Sequence, residues 1–257
     1  MDHKWIEELA LNNWPALTTL LYDGWVLRFA EGVTKRSNSV SPLYGSTLDL
    51  HQKIEECERI YAANQLPAIF KITPFIHPAD LDTALEQRGY ELIDITSIQT
   101  LNLDRLPEPR LTTVKILEHA DEEWLEQYRI MDQASASKMD TMVRMLSHIR
   151  TRKGFILLYH NGQAVACGLG VIERGVIGLY NIVTDAAYRN QGFGEQMILH
   201  LLQWGQAHGA TDSYLAVVAN NGPAKSLYAK IGFTEIYSHW YRVQHLRQLE
   251  SGIGNRL

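Results

Sequence analysis

The sequence predicts an α/β fold in which a mixed, mostly antiparallel β-sheet is flanked by helices. Short runs rich in apolar residues alternate with segments of helical spacing, and glycine-containing turns separate them. The clearest turn is Asn161-Gly162, between predicted strands at 155–159 and 163–171, because both residues tolerate positive φ. A strand meander followed by helix, strand, helix and strand predicts an α/β sandwich.

The other elements of the second half can be placed in order. Asp121 suits the position before a helix, and Gly209 suits the end of a later one. The predicted strands are 112–117, 176–183, 213–218 and 236–243, and the predicted helices are 122–132, 140–149, 194–209 and 223–231. Each of the last two helices therefore lies between two strands.

The first half echoes this order. Its predicted strands are 24–30, 33–40, 68–72 and 97–103, and the helix that follows the second strand presents an apolar face with Leu50, Ile54, Cys57 and Tyr61. The interval from a strand-ending valine to a helix-ending glycine is the same in both halves, from Val40 to Gly89 and from Val183 to Gly232. We interpret this as a divergent internal repeat, with coincidence between two α/β segments as the alternative.

The stretch Leu106-Pro107-Glu108-Pro109 predicts a boundary between the halves. Each proline fixes its own φ and disfavours helix at the preceding residue, which is typical of a short extended linker. The chain of 257 residues is long enough for two domains that each bury a core. We therefore predict domains at 1–107 and 110–257.

Composition and charge argue against several classes of protein. The formal net charge of -5 gives no basis for nucleic-acid binding, and no apolar run approaches the roughly 20 residues that cross a bilayer. The histidines show no ligand spacing, so no metal site is expected. Cys57 and Cys167 are expected to be buried free thiols. The first residues lack a secretory pattern, so we expect a cytoplasmic protein.

The segment Tyr188-Arg189-Asn190-Gln191-Gly192-Phe193-Gly194 connects a predicted strand to a predicted helix. Backbone N–H groups at a helix start lack helical partners, and with the helix dipole they form an anion site. Gly192 and Gly194 let the backbone approach a pyrophosphate closely, and Arg189 adds positive charge. We interpret the segment as a phosphate-binding loop, with ordinary turn chemistry as the alternative for its glycines.

A second pattern runs from Asn221 to Tyr228 and ends at Gly232-Phe233. Asn221 follows a predicted strand, where its amide can both donate and accept hydrogen bonds. Tyr228 lies in the next helix and, with an ordinary pKa of about 10, can donate a proton at neutral pH. A core aromatic is the alternative role for Tyr228.

Together the two patterns resemble the GNAT superfamily of acyl-CoA N-acyltransferases. The first matches its phosphate loop, Arg/Gln-x-x-Gly-x-Gly/Ala, through Arg189, Gly192 and Gly194. The second matches Asn-x-x-Ala-x-x-Leu-Tyr-x-x-x-Gly-Phe through Asn221, Ala224, Leu227, Tyr228, Gly232 and Phe233. The match covers about residues 112–243. Some members carry two such domains in tandem, so the first half is interpreted as a second, divergent GNAT-like domain.

The resemblance implies an N-acetyltransferase that uses acetyl-CoA as cosubstrate and no metal. The cofactor-binding residues it implies are Ile182, Val183, Arg189, Asn190, Gln191, Gly192, Phe193, Gly194, Glu195, Asn221, Ala224 and Tyr228. Backbone groups of Ile182 and Val183 would pair with the pantetheine arm, and the amides of residues 190–195 would hold the pyrophosphate. Tyr228 would protonate the departing thiolate. A primary amine, from a small molecule or a peptide, would attack the acetyl carbonyl directly.

The general base is not evident from the sequence. The branch that acetylates ribosomal-protein N-termini is similar in Tyr180-Asn181-Ile182-Val183, but it carries a glutamate where this chain has Ala216. Glu173 is the nearest acidic residue, although its position in a predicted turn favours a solvated side chain. Alternatively, Tyr180 and Asn181 order a water that relays the proton, which makes Asn181 a candidate catalytic residue.

The first half departs from the family pattern at the cofactor site. Asp49 stands where the repeat aligns Gly192, and its carboxylate would repel a pyrophosphate. Leu85 stands where the repeat aligns Tyr228. This half is therefore predicted to have lost cofactor binding and to shape the acceptor pocket or brace the sheet.

Two polar segments of the chain each allow two roles. Arg36, Asn38 and Ser39 form a cluster beside a predicted strand, where Arg36 either reads an acidic group of the acceptor or remains an exposed charge. Residues 244–257 are interpreted as a frayed end or a homodimer contact.

Three functions compete on the sequence alone, and an active N-acetyltransferase leads. A non-catalytic acyl-CoA-binding regulatory module is the second, supported by the missing base and opposed by the presence of Tyr228. A nucleotide-binding protein of another class is the third, but the Lys-Ser/Thr pair or ribose-binding acid that it needs at fixed spacing is not in the sequence.

Overall fold

The computed structural model describes residues 2–244, and within this range the chain forms seven α-helices and eleven β-strands. The helices are α1 (His3–Asn13), α2 (Leu50–Ala63), α3 (Leu81–Gln87), α4 (Glu122–Asp132), α5 (Ala136–Ser147), α6 (Phe193–Ala207) and α7 (Gly222–Ile231). The strands are β1 (Thr18–Tyr22), β2 (Trp25–Phe29), β3 (Val40–Ser41), β4 (Ile69–Ile72), β5 (Glu91–Asn102), β6 (Val114–Leu117), β7 (Arg152–His160), β8 (Gln163–Glu173), β9 (Val176–Thr184), β10 (Asp212–Val218) and β11 (Thr234–Val243).

The described strands form one mixed, mostly antiparallel sheet, in which the two halves of the chain exchange strands. Its order is β1-β2-β3-β4-β11-β5-β10-β9-β8-β7-β6. β5 of the first half lies between β10 and β11 and is antiparallel to both, and β11 in turn pairs with β4. The predicted boundary at 107–110 falls in the segment between β5 and β6. The division into two domains stays a prediction, because the halves share this sheet.

Side chains of the sheet alternate between two cores in the second half of the chain. Along β10, Tyr214 packs into a core with α1, α4 and α5, whereas Leu215 and Val217 pack into a core with α6 and α7. A further core joins α2 and α3 to β2, β3 and β4 of the first half. The predicted fold class, a mixed sheet flanked by helices, is confirmed.

The order of elements repeats between the halves. In the first half β1, β2 and β3 are followed by α2, β4, α3 and β5, and in the second half β7, β8 and β9 are followed by α6, β10, α7 and β11. β3 is parallel to β4, as β9 is parallel to β10. This common order supports the internal repeat predicted from the equal valine-to-glycine intervals.

The predicted strand at 33–40 is wrong over most of its length. The chain forms a short 3₁₀ turn at Lys35–Ser37, and only Val40 belongs to a strand. The reason is the buried Asn38, whose Oδ1 accepts the N–H groups of Ala30 at 2.7 Å and Gly32 at 2.9 Å. The Asn38 side chain thus supplies the hydrogen-bond acceptor that a neighbouring strand would otherwise have provided for these N–H groups.

Two elements at the start of the chain were not predicted. Asp2 caps α1 by accepting the N–H of Lys4, and Ile6 and Leu9 of this helix are buried. β1 lies at the edge of the sheet with mostly exposed side chains, so it lacks the alternating pattern that identifies a strand. The tight turn to β2 is Asp23-Gly24, and both residues have positive φ.

Other boundaries differ by a few residues. The predicted helix at 140–149 is α5, which begins earlier because Ser135 caps it by accepting the N–H of Lys138 at 3.2 Å. Cys57 and Cys167 are buried free thiols, as predicted. The prediction for residues 244–257 lies outside the described residues except for Gln244. No helix in the described part of the chain is long and apolar enough to cross a membrane.

Candidate active site

A gap between two parallel strands lies at the centre of the sheet. β9 and β10 pair only near their starts, from Val176 opposite Asp212 to Gly178 opposite Tyr214. Beyond Tyr214, β10 pairs with β5 on its other side, while β9 continues to pair with β8 as far as Thr184. The two strands therefore part, and their facing backbone edges are available to an extended ligand.

A β-bulge shapes β9 at this gap. The register with β8 shifts between Cys167 and Leu169, so Asn181 and Ile182 together lie opposite Gly168. Asn181 has a φ of 50°, and its Nδ2 donates to the sulfur of Met142 at 3.4 Å. The side chain of Asn181 is thus directed towards α5.

The connection from β9 to α6 ends at a helix start that no side chain caps. Gly192 occupies the N-cap position with a φ of 86°, a conformation that favours glycine, and it offers no capping group. In contrast, α1, α2, α4, α5 and α7 each begin with an Asp, Ser or Asn side chain that accepts a backbone N–H. The start of α6 therefore keeps the anion-binding character that the other caps remove.

Close packing between this helix start and β9 requires Gly194. A Cβ at residue 194 would lie 2.9 Å from Oγ1 of Thr184 and 3.4 Å from Cδ2 of Leu227. Arg189 lies beside the same strand end, where its Nε donates to the carbonyl of Thr184 at 3.3 Å. The loop is thereby fixed against both β9 and α7.

One acidic side chain lies in the first turn of α6, and its charge is neutralised. Glu195 accepts a hydrogen bond and forms an ion pair with Lys230 of α7, with 2.5 Å between Oε2 and Nζ. Because the carboxylate is paired, it opposes an anion at the helix start less than a free carboxylate would.

α7 supplies the opposite wall of the site. Oδ1 of Asn221 accepts the N–H of Ala224 at 3.2 Å and so caps this helix. Tyr228 is only 7% exposed and packs edge-on against Phe233, with 5.9 Å between ring centroids. Burial raises the pKa of Tyr228 to about 12, so its hydroxyl is protonated at neutral pH.

These elements enclose a cavity of about 480 Å³, hereafter the cofactor cavity. Of the residues predicted from the sequence, its lining includes Ile182, Val183, Arg189, Asn190, Gly192, Phe193, Gly194, Glu195, Asn221, Ala224 and Tyr228. Asn181 and Gln191 are not among the lining residues, and Nε2 of Gln191 donates to the carbonyl of Ala187 at 3.1 Å. The structure therefore gathers most of the predicted residues around one space.

Four further residues line the cofactor cavity without having been predicted, namely Thr184, Tyr188, Pro223 and Leu227. Each is a sequence neighbour of a predicted residue. Thr184 could have been predicted from the sequence, because it continues the strand whose backbone was expected to face the ligand. Tyr188 directly precedes Arg189 in the phosphate-loop pattern.

The expectation that Glu173 is solvated is wrong. Its side chain is only 12% exposed, and Oε1 accepts the Nδ2 of Asn12 at 3.0 Å. Glu173 pairs with Val176 at the β8–β9 turn, whereas the cofactor cavity lies at the other end of β9. The unforeseen helix α1 covers this turn and removes Glu173 from solvent, so it is not placed to act on a substrate there.

The first half contrasts with this site at the equivalent positions. Asp49 caps α2, with its Oδ1 accepting the N–H of Gln52 at 3.0 Å, so this helix start is already occupied by a carboxylate. Leu85 is fully buried. Both observations support the prediction that this half does not bind the cofactor.

No group of three or more His, Cys, Asp or Glu within residues 2–244 is arranged to hold a metal ion.

Parallel strands that separate beside an uncapped helix start define a GCN5-related N-acetyltransferase (GNAT) architecture. A solved GCN5-related N-acetyltransferase from Kribbella flavida has the same fold, with a TM-score of 0.69 at 16% identity over 95% of this chain and 96% of that one. A family model described as "Probable histone acetyltransferase Rv0428c C-terminal" matches residues 2–243. The chain therefore belongs to that family of GNAT acetyltransferases.

Two relatives agree with this assignment. The "Uncharacterized N-acetyltransferase YobR" of Bacillus subtilis is 30% identical over 249 residues, which cover 95% of this chain and 99% of that protein. The ribosomal protein bS18-alanine N-acetyltransferase of Escherichia coli is 32% identical over 78 residues, which cover 30% of this chain and 53% of that protein.

Proposed function

We propose that this protein transfers an acetyl group from acetyl-CoA to a primary amine by direct attack, with Tyr228 as the general acid. The observation that carries the proposal is the cofactor cavity, which joins an uncapped helix start, an unpaired strand edge and a protonated tyrosine. These are the three features that a pyrophosphate, a pantetheine arm and a departing thiolate require.

The residues of the cavity fit the parts of acetyl-CoA in order. Backbone N–H groups of residues 192–195 and the guanidinium of Arg189 would bind the pyrophosphate. The edge of β9 at Ile182 and Val183 would pair with the pantetheine amides, with Asn221 on the opposite side. A backbone N–H near Val183 would also point at the acetyl oxygen and stabilise its negative charge during attack.

Tyr228 would donate its proton to the thiolate as the acetyl group leaves. A free thiol has a lower pKa than a tyrosine, about 8.5 against about 10, so this transfer is uphill in water. Burial raises the pKa of Tyr228, and the same desolvation would raise the pKa of a thiol released into the cavity, so the thiolate would gain basicity there. The protonated hydroxyl favours an enzyme over a binding module, since binding alone does not need a proton donor.

Calorimetric titration with acetyl-CoA tests the proposal, with ATP and NAD as comparison ligands. Gly192→Glu is expected to abolish binding, because it adds a carboxylate at the helix start and a side chain at positive φ. Gly209→Glu is the matched control, because Gly209 follows the opposite end of α6 with a similar φ of 89° and open space around it.

Binding of acetyl-CoA alone, lost in Gly192→Glu and kept in Gly209→Glu, would support the cofactor and justify a screen of amines. Equal binding by the two variants would mean that the loop before α6 is only a turn. Tight binding without turnover of any amine, small or peptidic, would favour the non-catalytic acyl-CoA-binding module instead.

A further inference from the structure

A second cavity, hereafter the arginine cavity, lies across the sheet from the cofactor cavity. It has a volume of about 200 Å³ and is lined by residues of both halves, including Lys35, Arg36, Asp94, Ala216, His239 and Tyr241. Ala216 belongs to the face of β10 that packs towards α1, α4 and α5, opposite the face that carries Leu215 and Val217. The arginine cavity therefore lies on the face of the sheet opposite α6 and α7, the two helices that line the cofactor cavity.

The arginine cavity reaches the gap between β9 and β10 through Arg36. The guanidinium of Arg36 lies 5.2 Å from the ring centroid of Trp14 and 5.7 Å from that of Tyr180, and these two rings are stacked. Tyr180 directly precedes the bulge at Asn181 in β9. A molecule bound against Arg36 would thus lie next to the point where the acetyl group is expected.

Positive charge exceeds negative charge around this cavity. Lys35 is paired with Asp94 at 2.8 Å, and behind the cavity Lys71 is paired with Glu7. Within residues 2–244, Arg36 has no carboxylate partner. The buried Arg28 does not line the cavity, and its guanidinium donates to the backbone carbonyls of Arg36, Leu11 and Trp14. The positive charge of Arg36 is therefore left without a counter-charge at this cavity, which favours an anionic ligand.

Buried polar groups without partners also face this space. His239 is 1% exposed, and neither of its ring nitrogens has a hydrogen-bond partner in the described chain. The hydroxyl of Tyr241, one pleat along the same strand, is likewise buried without a partner. Buried polar groups are normally satisfied, so these two side chains can form hydrogen bonds with a ligand bound in the cavity.

We propose that the acceptor is a small amine that also carries a carboxylate, which binds Arg36 while His239 and Tyr241 hydrogen-bond to the same molecule. This inference rests on the proposed acetyl transfer and adds its substrate class. Arg36 comes from the first half, so the half without a cofactor site contributes the specificity-determining residue. The amino group would face the gap between β9 and β10, and the volume suits a molecule of amino-acid size.

The test compares amines that differ only in the carboxylate, such as glycine with methylamine, phenylalanine with phenethylamine and lysine with cadaverine. For the preferred pair, kcat/KM for the amino acid should exceed that for the amine by roughly tenfold to a hundredfold, as a charge-assisted hydrogen bond provides. Arg36→Met should remove this preference chiefly by raising KM for the amino acid. Arg36→Lys should restore part of it.

Two measurements keep the outcome clear. Arg59→Met is the control, because Arg59 is a 70% exposed residue of α2 that pairs with Glu56. Protein labelled at histidine gives a readout that does not need turnover. The NMR signal of His239 is assigned as the one missing from a His239→Gln variant. This signal should shift when the amino acid is added and should not shift when the plain amine is added.

Failure of acetyl-CoA to bind would overturn the proposed function and this inference with it. Normal acetyl-CoA binding with equal rates for both members of every pair would overturn the inference alone. Acetylation of peptides only, or of no small amine, would also overturn it, while leaving the cofactor assignment intact.

Discussion

At the scale of single residues, Tyr228 carries the chemistry of the proposal. We expect Tyr228→Phe to lower kcat by roughly 100- to 10,000-fold, because it removes a positioned proton donor, while the Kd for acetyl-CoA changes little. Steady-state kinetics and calorimetry on the same preparation measure both quantities. Tyr159→Phe is the matched control, because Tyr159 lies on β7 outside the cofactor cavity and its hydroxyl donates to Glu123 of α4. A normal kcat in Tyr228→Phe would exclude the acid role.

The pH dependence follows from the raised pKa of the same residue. An acid must be protonated to act, so activity that depends on Tyr228 is present below its pKa of about 12 and is lost only above it. Any loss of activity between pH 7 and 10 must therefore come from another group. The missing base must be deprotonated to act, so its ionisation should appear in the pH–rate profile as a loss of activity when the pH falls.

His239 makes the stability of the fold depend on pH. Burial, and then the charges of Lys71 and Arg36, hold the pKa of His239 well below 6.5. The unfolded chain takes up a proton near pH 6.5 while the folded chain does not. Titration of this residue therefore leaves the stability unchanged above about pH 6.5 and lowers it as the pH falls below that value. The free energy of unfolding should fall by up to about 1.4 kcal/mol per pH unit on this account.

Urea denaturation at pH 7 and pH 5.5 measures this effect. We expect His239→Gln to lose less stability than the wild type between the two values, because glutamine does not titrate. The same substitution at the exposed His119 is the matched control. An identical loss of stability in the wild type and His239→Gln would contradict the assignment.

At the scale of elements, prediction succeeded where the signal was local. Asn161-Gly162, Asp121 and the glycines of the phosphate loop act on the backbone beside them, so their strands and helices could be placed from short segments. The residues of the cofactor cavity were found for the same reason, because the loop and α7 each contribute a contiguous motif.

Prediction failed where distant residues decide the structure. Asn38 replaces a strand by a turn through hydrogen bonds to Ala30 and Gly32, and nothing in residues 33–40 alone shows that these bonds form. Glu173 is covered by α1, more than 150 residues away in the chain. The arginine cavity could not be predicted either, since Arg36 and His239 meet only through the exchange of strands between halves.

At the scale of the whole molecule, the exchange of β5 and β11 links the two halves physically. β5 fills the position between β10 and β11, and β11 also pairs with β4. α1 adds a further link, because Nδ2 of Asn13 donates to the hydroxyl of Tyr214 at 3.1 Å in the buried interior. Tyr214 marks the point where β9 and β10 part, so the first half supports the site that the second half builds.

Removal of the first half therefore tests whether the second half is a self-sufficient domain. We expect a fragment of residues 110–257 to lack a cooperative thermal transition, because β10 and β11 would each expose an unpaired edge where β5 now lies. A fragment of residues 91–257 keeps β5 and should recover part of the transition, measured by circular dichroism. If residues 110–257 unfolded cooperatively and bound acetyl-CoA as tightly as the full chain, the boundary at the paired prolines would define an independent domain, and the strand exchange would contribute little to the site.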